Sequence, residues 1–527
     1  MNYILELANY AQNRDNDFQL ATLVIIKDFL KESQSIDLLY YAGLLSANVG
    51  LFDQSIEYYS ILLQIEPNHK QALFDIGAIS FHIGKWDESI YYGNKLIEID
   101  ITYNDILLHI ANSYSYIGKY KEASDLYAKS LSIQPSIRTW SDYLLSLNYI
   151  NINDETREYI RNVFTESIPN YPIPKINQKD KIRIGYVSSD FRNHAVSYFY
   201  KGLITKHNPN EFEVYYYYTR PMGEDDITQI YKNSGQFRTV QNSDNLHEII
   251  KRDDIDILID LNGFTGGNSL DVFIQNSSPI QITWLGFLNT LSIPSIRYKI
   301  SDKNLIPSHV QNKYSEEILM LDNSLYYHPP EHTPKITQSP YSKNGWITFG
   351  HFNNLRKVNE EVLEVWLNIL LSHQNSKFIL IGSKYEPMNL KISDYMANGG
   401  FFNVEFREEG SIYEFMQTIS EVDIALDPFP HVGGATTGHS LWMGVPVITL
   451  RGEIEFERIS ASLLTVLGLD EFIADSKEDY VKIGRELRIE KLIEIRESMR
   501  MRFPEPNVQE LEEFYRNIYK QEIDKTH

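Results

Sequence analysis

The 527-residue chain has no cysteine. That excludes disulfides, thiolate metal sites and cysteine nucleophiles. Basic residues are outnumbered, 49 Lys and Arg against 71 Asp and Glu, for a formal net charge of −22. A general nucleic-acid binder needs the opposite balance to meet phosphates, so nucleic acid is not an expected partner, although a local basic site stays compatible. No run approaches the ~20 apolar residues of a membrane span. The segment Met1-Asn-Tyr-Ile-Leu-Glu-Leu7 lacks a basic region followed by a long apolar one. No signal peptide is therefore expected, and a cytoplasmic location is the default. There is no Asp-x-Asp metal signature at a strand end, no His/Glu spacing typical of zinc and no Walker-type phosphate loop. The expectation is a protein without metal or bound cofactor.

What is present first is a repeat. Gly50, Gly84 and Gly118 recur every 34 residues, as do Phe52, Trp86 and Tyr120, and Ser55, Ser89 and Ala123. Pro67 and Pro135 lie two periods apart, and Gly43, Gly77 and Ala111 hold another phase. Phe18 and Ala21 occupy matching positions one period earlier, which predicts a degenerate first repeat. This period resembles tetratricopeptide helix–turn–helix units. Small residues let paired helices approach, the aromatic packs on the neighbour, and the glycine ends the first helix. A helix over about 138–150 is expected to cap the stack. Residues 1–150 thus read as an all-α solenoid offering a surface to protein segments, or one that only packs or dimerises. Residues 151–180 read as a linker.

From Lys181 the pattern changes. Apolar strands are expected at 181–187, 212–218, 256–261 and 280–285, separated by helical stretches such as 245–252. Residues 326–345 carry four prolines and read as a boundary. A second series follows, with strands at 346–349, 377–381, 404–406, 423–426 and 445–450 and a helix over 360–371. Strands alternating with helices predict parallel sheets with both faces covered. The expected domains are 181–340 and 341–527, the latter ending in charged helices. Two such sheets bring their strand carboxyl ends to a shared cleft. Polar clusters fall at those ends: Ser188–His194, Asn262–Thr265, Gly286, Asn353–Lys357 and Gly433–Thr437.

The stretch 427–450 is the most informative. A short apolar strand runs into Gly433-Gly-Ala-Thr-Thr-Gly438, then a helical Ser440–Met443 and another strand. Strand, Gly/Thr-rich turn and helix gather backbone N–H groups and hydroxyls around a phosphate. Lys357 follows a strand, where an ammonium can neutralise charge on a departing phosphate. A lone loop lysine is usually a solvated charge, and Lys357 gains weight from its setting. His194 suits a general base or a phosphate donor as well as an ordinary surface role. Phe415 reads more readily as core than as a platform for a base.

In this order behind the repeats, Gly185-Tyr-Val-Ser-Ser-Asp-Phe-Arg-Asn-His194, Pro279-Ile-Gln-Ile-Thr-Trp-Leu-Gly286, Phe352-Asn-Asn-Leu-Arg-Lys357 and Leu441-Trp-Met-Gly-Val-Pro446 resemble the O-linked N-acetylglucosamine transferase family, whose plant relatives include Spindly-type protein O-fucosyltransferases. The resemblance implies an α/β GT-B glycosyltransferase, two Rossmann-like domains behind the tetratricopeptide solenoid, the first on the acceptor side and the second binding the nucleotide-sugar. It implies an inverting, metal-independent enzyme that modifies Ser or Thr of proteins from a nucleotide-sugar, UDP-N-acetylglucosamine in the first instance. His194 matches the family's active-site histidine and Lys357 the lysine that grips the diphosphate. Asn354 stands where a glutamine contacts the donor, and Phe415 where a ring stacks on the base. Leu285 and Gly286 match backbone contacts to the sugar, Asn262 and Thr265 a donor-side loop, and Gly434, Thr436 and Thr437 the phosphate turn.

The chain departs from the family pattern at several places. His439 replaces an acidic residue at the ribose, Ile412 a lysine near it, Arg356 a tyrosine, and Phe287-Leu-Asn289 a Tyr-Pro-Gly. These changes put the donor in question rather than the fold. GDP-fucose remains an alternative donor, asparagine an alternative acceptor, and an inactive scaffold an alternative role. Flagellin or another surface protein is the implied acceptor, and monomer and homo-oligomer both stay open.

Overall fold

The computed structural model describes every residue except 1, 151, 222, 242–244, 384 and 527. The chain forms two compact units, residues 1–151 and 152–527.

The first unit contains nine described helices in antiparallel succession, from Asn2–Ala11 to Ile137–Ser146. Gly50, Gly84 and Gly118 adopt φ of 82°, 80° and 78° just past helix ends. After each, the next residue's N–H returns to the helix: Leu51 to Ser46 O, Lys85 to Ser80 O and Lys119 to Tyr114 O, all at 2.8 Å. This 6→1 closure satisfies otherwise orphaned carbonyls and requires the left-handed conformation that glycine tolerates. The repeated aromatics pack forward along the stack. Phe52 meets His82 at 5.5 Å, Trp86 stacks on Tyr116 at 5.1 Å and Tyr120 on Tyr149 at 4.1 Å. A Cβ on Gly43 would lie 2.6 Å from the Tyr59 ring, so glycine sets that helix spacing.

A first helical pair is present, but Phe18 and Ala21 are not its core. Both are exposed, while Gln19, Thr22, Leu23 and Ile26 are buried. The turn after Leu30 runs over 31–35, one residue longer than the turn over 66–69. The helix Asn16–Leu30 is also one residue longer than Phe52–Ile65, so the two helices start 36 residues apart and the 34-residue phase is broken by two.

The second unit holds two parallel sheets. The first has β1 (Ile182–Ser188), β2 (Phe212–Tyr218), β3 (Gln236–Thr239), β4 (Ile257–Asp260), β5 (Ile280–Trp284), β6 (Tyr298–Asp302) and β7 (Glu317–Leu321), ordered 3-2-1-4-5-6-7. The second has β8 (Thr348–His351), β9 (Lys377–Ile381), β10 (Val404–Arg407), β11 (Ile424–Leu426), β12 (Val447–Leu450) and β13 (Ile473–Ala474), ordered 10-9-8-11-12-13. Central strands are buried along most of their length, as sheets covered on both faces require.

Three strands of the first sheet are not signalled by apolar runs. In β6, buried Lys299, Ser301 and Asp302 interrupt the pattern. Lys299 pairs with Glu455 at 3.0 Å and Ser301 donates to Glu455 at 2.8 Å, so a polar contact with the second half replaces apolar packing. Edge strand β3 (Gln-Phe-Arg-Thr) has no buried residue, and β7 alternates.

The expected linker at 151–180 carries a helix, Asp154–Ser167. Asn153 caps it, accepting from Thr156 N at 2.8 Å, and Phe164 is buried 5.7 Å from Phe264. The last helix, Val508–Thr526, expected with the second half, packs on the first sheet's side. Tyr515 lies 3.1 Å from the Tyr186 hydroxyl, and Glu512 accepts from Asn208 N at 2.7 Å. Among the described residues no helix is long and apolar enough to cross a membrane.

Candidate active site

Strand ends from both halves meet around two adjoining cavities. One, about 250 Å³, is lined by Leu285, Asn353, Lys357, His431, Gly434 and Thr436 together with an apolar wall of Val196, Phe199, Leu288, Leu325 and Ile459. The other, about 320 Å³, is lined by His194, Tyr198, Ile412, Phe415, Thr436 and His439. Thr436 belongs to both.

The helix Ala435–Trp442 starts at the cavities. Sequence placed Thr436 and Thr437 in a turn before a helix at Ser440; they instead form its first turn, with Gly434 as N-cap. Glycines hide that start, because Gly434-Ala-Thr-Thr-Gly has no apolar periodicity. No side chain caps the helix, so its first N–H groups and the positive end of its dipole remain for an anion. The two threonines differ. Thr437 Oγ1 lies 2.8 Å from Ser460 Oγ in the interior, whereas Thr436 Oγ1 is buried with no hydrogen-bond partner among the described residues.

Lys357 Nζ donates to Val432 O at 2.9 Å and Asn353 Oδ1 at 3.1 Å. Burial lowers its pKa to about 8, with nearby Asp427 opposing the shift. Asp427 sits just beyond β11 and accepts from Gly433 N at 2.9 Å, Asn353 Nδ2 at 3.1 Å and Thr449 Oγ1 at 2.9 Å. Burial raises it to about 6 in spite of these bonds. Sequence reasoning assigned no role to Asn353, which opens one of the polar clusters, or to Asp427. Their signal was position, since Asp427 directly follows β11 and Asn353 lies two residues past the end of β8.

Asn354, expected on the donor, faces outward. It is exposed and caps the turn after it, accepting from Arg356 N at 3.0 Å and Arg356 Nε at 3.2 Å. Adjacent residues at a helical cap point different ways, so its neighbour Asn353 faces the lysine.

His194 follows β1. Its Nδ1 is buried, has no hydrogen bond among the described residues, and lies 3.6 Å from Asp190 Oδ1. Burial lowers its pKa, against the pull of Asp190, which leaves a neutral ring at pH 7. Asn262 and Thr265 serve the scaffold under this loop. Asn262 donates to Ser189 Oγ at 2.9 Å and Asp190 Oδ2 at 3.0 Å and accepts from Ser189 N at 2.9 Å. Thr265 Oγ1 donates back to Asn262 O at 2.8 Å. Gly286 lies against β4's end, where a Cβ would overlap Leu261 O. This lets Leu285, at φ 59°, line the smaller cavity.

Phe415 has its place in the core and on a cavity wall at once. It is buried in a core cluster with Met416 and Ile419, and it also lines the larger cavity. His439 lies 5.9 Å from it and 2.6 Å from the Tyr327 hydroxyl, and burial lowers its pKa to about 3. Among the described residues no group of three or more His, Cys, Asp or Glu side chains could hold a metal ion.

The pattern of glycosyl transferase family 41 matches residues 159–332 and 329–518, more than half of the chain. A probable UDP-N-acetylglucosamine–peptide N-acetylglucosaminyltransferase SPINDLY of Oryza sativa subsp. japonica is 32% identical over 429 residues, covering 76% of this chain and 46% of its own. The protein of the same description from Arabidopsis thaliana is 32% identical over 381 residues, covering 68% and 41%. The chain therefore spans less than half the length of these curated relatives. Among solved structures, a mutant O-GlcNAc transferase of Thermobaculum terrenum is similar with a TM-score of 0.81 at 26% identity, covering 93% of this chain and 98% of that one. Helical repeats followed in sequence by two Rossmann-like sheets of GT-B type are thus both the expected and the observed organisation. The chain belongs to glycosyl transferase family 41.

Proposed function

We propose that this chain transfers a sugar from a nucleotide-sugar, UDP-N-acetylglucosamine first among candidates, to Ser or Thr hydroxyls of a protein. The observation that carries this reading is the convergence at Thr436: an uncapped helix N-terminus and an unpartnered hydroxyl stand on the same cavity wall as Lys357 and, on the other side, His194. Such a constellation suits a diphosphate held between a ribose side and a sugar side.

The reaction is a single displacement. The acceptor oxygen forms a bond to the anomeric carbon as the carbon–oxygen bond to the diphosphate breaks, and that electron pair stays on the diphosphate. Inversion follows from attack opposite the leaving group. Lys357 and the first turn of Ala435–Trp442 carry the leaving charge, so the step calls on no metal or cofactor. Neutral His194 positions the acceptor or the sugar, and the hydroxyl proton passes to a base. The helical repeats bind segments of the acceptor, with flagellin or another surface protein the first to try, in the cytoplasm.

A melting-temperature screen against UDP-N-acetylglucosamine, UDP-glucose, GDP-fucose and the free nucleotides tests the reading. A ligand at 100 times its Kd adds about 2.7 kcal/mol to stability. A shift with one donor, followed by mass-spectrometric detection of sugar on Ser or Thr, supports it. No shift with any of them favours a scaffold without transferase activity.

A further inference from the structure

The ring of His439 is held on three sides. Tyr198, on the helix after β1, meets it edge-on at 4.9 Å, Tyr327 at 5.6 Å and Phe415 at 5.9 Å. His439 and Phe415 belong to the second half, Tyr198 to the first, and Tyr327 to the segment joining them. Beside His439, Gly438 allows the close approach, because a Cβ there would overlap the Tyr327 ring.

The one polar contact in this arrangement is Tyr327 Oη to His439 Nδ1, at 2.6 Å. Tyr327 is 5% exposed, and its hydroxyl has no other hydrogen-bond partner among the described residues. The phenol has a single proton to donate, and a buried donor left unmade costs about 1–3 kcal/mol. The phenol therefore donates and Nδ1 accepts. Burial keeps the ring uncharged, so its own proton sits on Nε2. Nε2 makes no hydrogen bond among the described residues, and His439 lines the 320 Å³ cavity with Phe415, Thr436 and His194.

We propose that Tyr327 is a positioning residue of the nucleotide site: by donating to Nδ1 it fixes His439 as the Nε2–H tautomer, a neutral donor for an oxygen of the nucleoside. The proposal rests on the nucleotide-sugar reading above. A carboxylate would accept from ribose hydroxyls. This ring instead asks its ligand for an acceptor, a base carbonyl or a ribose oxygen, beside the apolar ring of Phe415. Because the phenol comes from the joining segment and Tyr198 from the first half, both halves bear on how His439 is presented.

The test uses the full chain. Isothermal titration with UDP and GDP identifies the nucleotide that the native protein binds. Tyr327→Phe keeps the ring and removes the proton; its affinity for that nucleotide is expected to fall about 3- to 10-fold. KM for the nucleotide-sugar should rise by a similar factor with kcat within about twofold, which a purely structural loss would not produce. Nitrogen-15 shifts of His439 in the native protein are expected to report Nε2–H. An Nδ1–H tautomer in the native protein overturns the proposal whatever the variant does. So does an unchanged Kd in a folded Tyr327→Phe. If the native chain binds neither nucleotide, the nucleotide-sugar reading itself falls, and the proposal with it.

Discussion

Lys357 and Asp427 are joined through a single side chain: Asn353 accepts from Lys357 Nζ at 3.1 Å and donates to Asp427 Oδ1 at 3.1 Å. Asp427 also holds Gly433 N and Thr449 Oγ1. One buried carboxylate therefore ties together the ends of β8, β11 and β12, and the lysine inherits its place from that tie.

Lys357→Ala should leave the fold intact and abolish most transfer. Losing one preorganised group at a developing charge costs about 10²–10³ in kcat. A folded circular-dichroism spectrum with a rate in that range is the expected result; full activity contradicts the assignment.

The pH dependence of diphosphate binding follows from the same pair. Asp427 is ionised above about 6 and Lys357 protonated below about 8. Affinity should be flat between these values and fall as pH rises through about 8, by up to tenfold per unit, as the ammonium is lost. A bound diphosphate favours the charged lysine, so binding near pH 8 should take up protons, visible by calorimetry in buffers of different ionisation enthalpy. Asp427→Asn removes the charge that holds the Lys357 value up and should move the alkaline limb to lower pH.

The neighbouring threonines should separate cleanly. Thr436→Val removes a hydroxyl with no partner among the described residues and should weaken diphosphate binding with little change in Tm. Thr437→Val breaks the buried bond to Ser460 and should cost about 1 kcal/mol of stability. Denaturant melts and nucleotide titrations of both variants check this, and a reversed pattern refutes it.

Gly286→Ala should destabilise by about 1–3 kcal/mol, because its Cβ would overlap Leu261 O and the backbone of Asn262 must move. The same shift displaces Leu285 and the Asn262 tie to the His194 loop, so donor affinity should fall with stability. A variant as stable and as tight-binding as the native chain shows that the contact relaxes freely.

Much of this is legible in the sequence. The 34-residue recurrence foretold Gly50, Gly84 and Gly118 as helix ends, because a 6→1 closure needs a left-handed residue at each. Apolar runs foretold β1, β2, β4, β5 and β9, because buried parallel strands cannot expose either face. Polar clusters at strand ends contain His194, Lys357, Gly434 and Thr436, which line the cavities; Leu285, Phe415 and His439, which line them too, were assigned to the site only by the family resemblance. Strand β6 was hidden by Lys299, Ser301 and Asp302, whose partners lie elsewhere in the chain. Phe18 and Ala21 lie off the core because their helix starts 36 residues before Phe52 rather than 34, and two residues rotate a helix face by about 200°.

By itself the sequence determined the repeat, the two parallel sheets and the short list of polar residues at strand ends. These follow from local periodicity and from what backbone geometry permits. Only tertiary structure decided that Asn353 rather than Asn354 holds Lys357, that Thr436 and not Thr437 is uncommitted, that the last helix returns to the first sheet, and that Tyr327 reaches His439 across 112 residues of chain. Hydrogen bonds are short and directional, so which of two adjacent polar side chains is committed depends on atoms brought close by folding, and spacing along the chain carries no record of them.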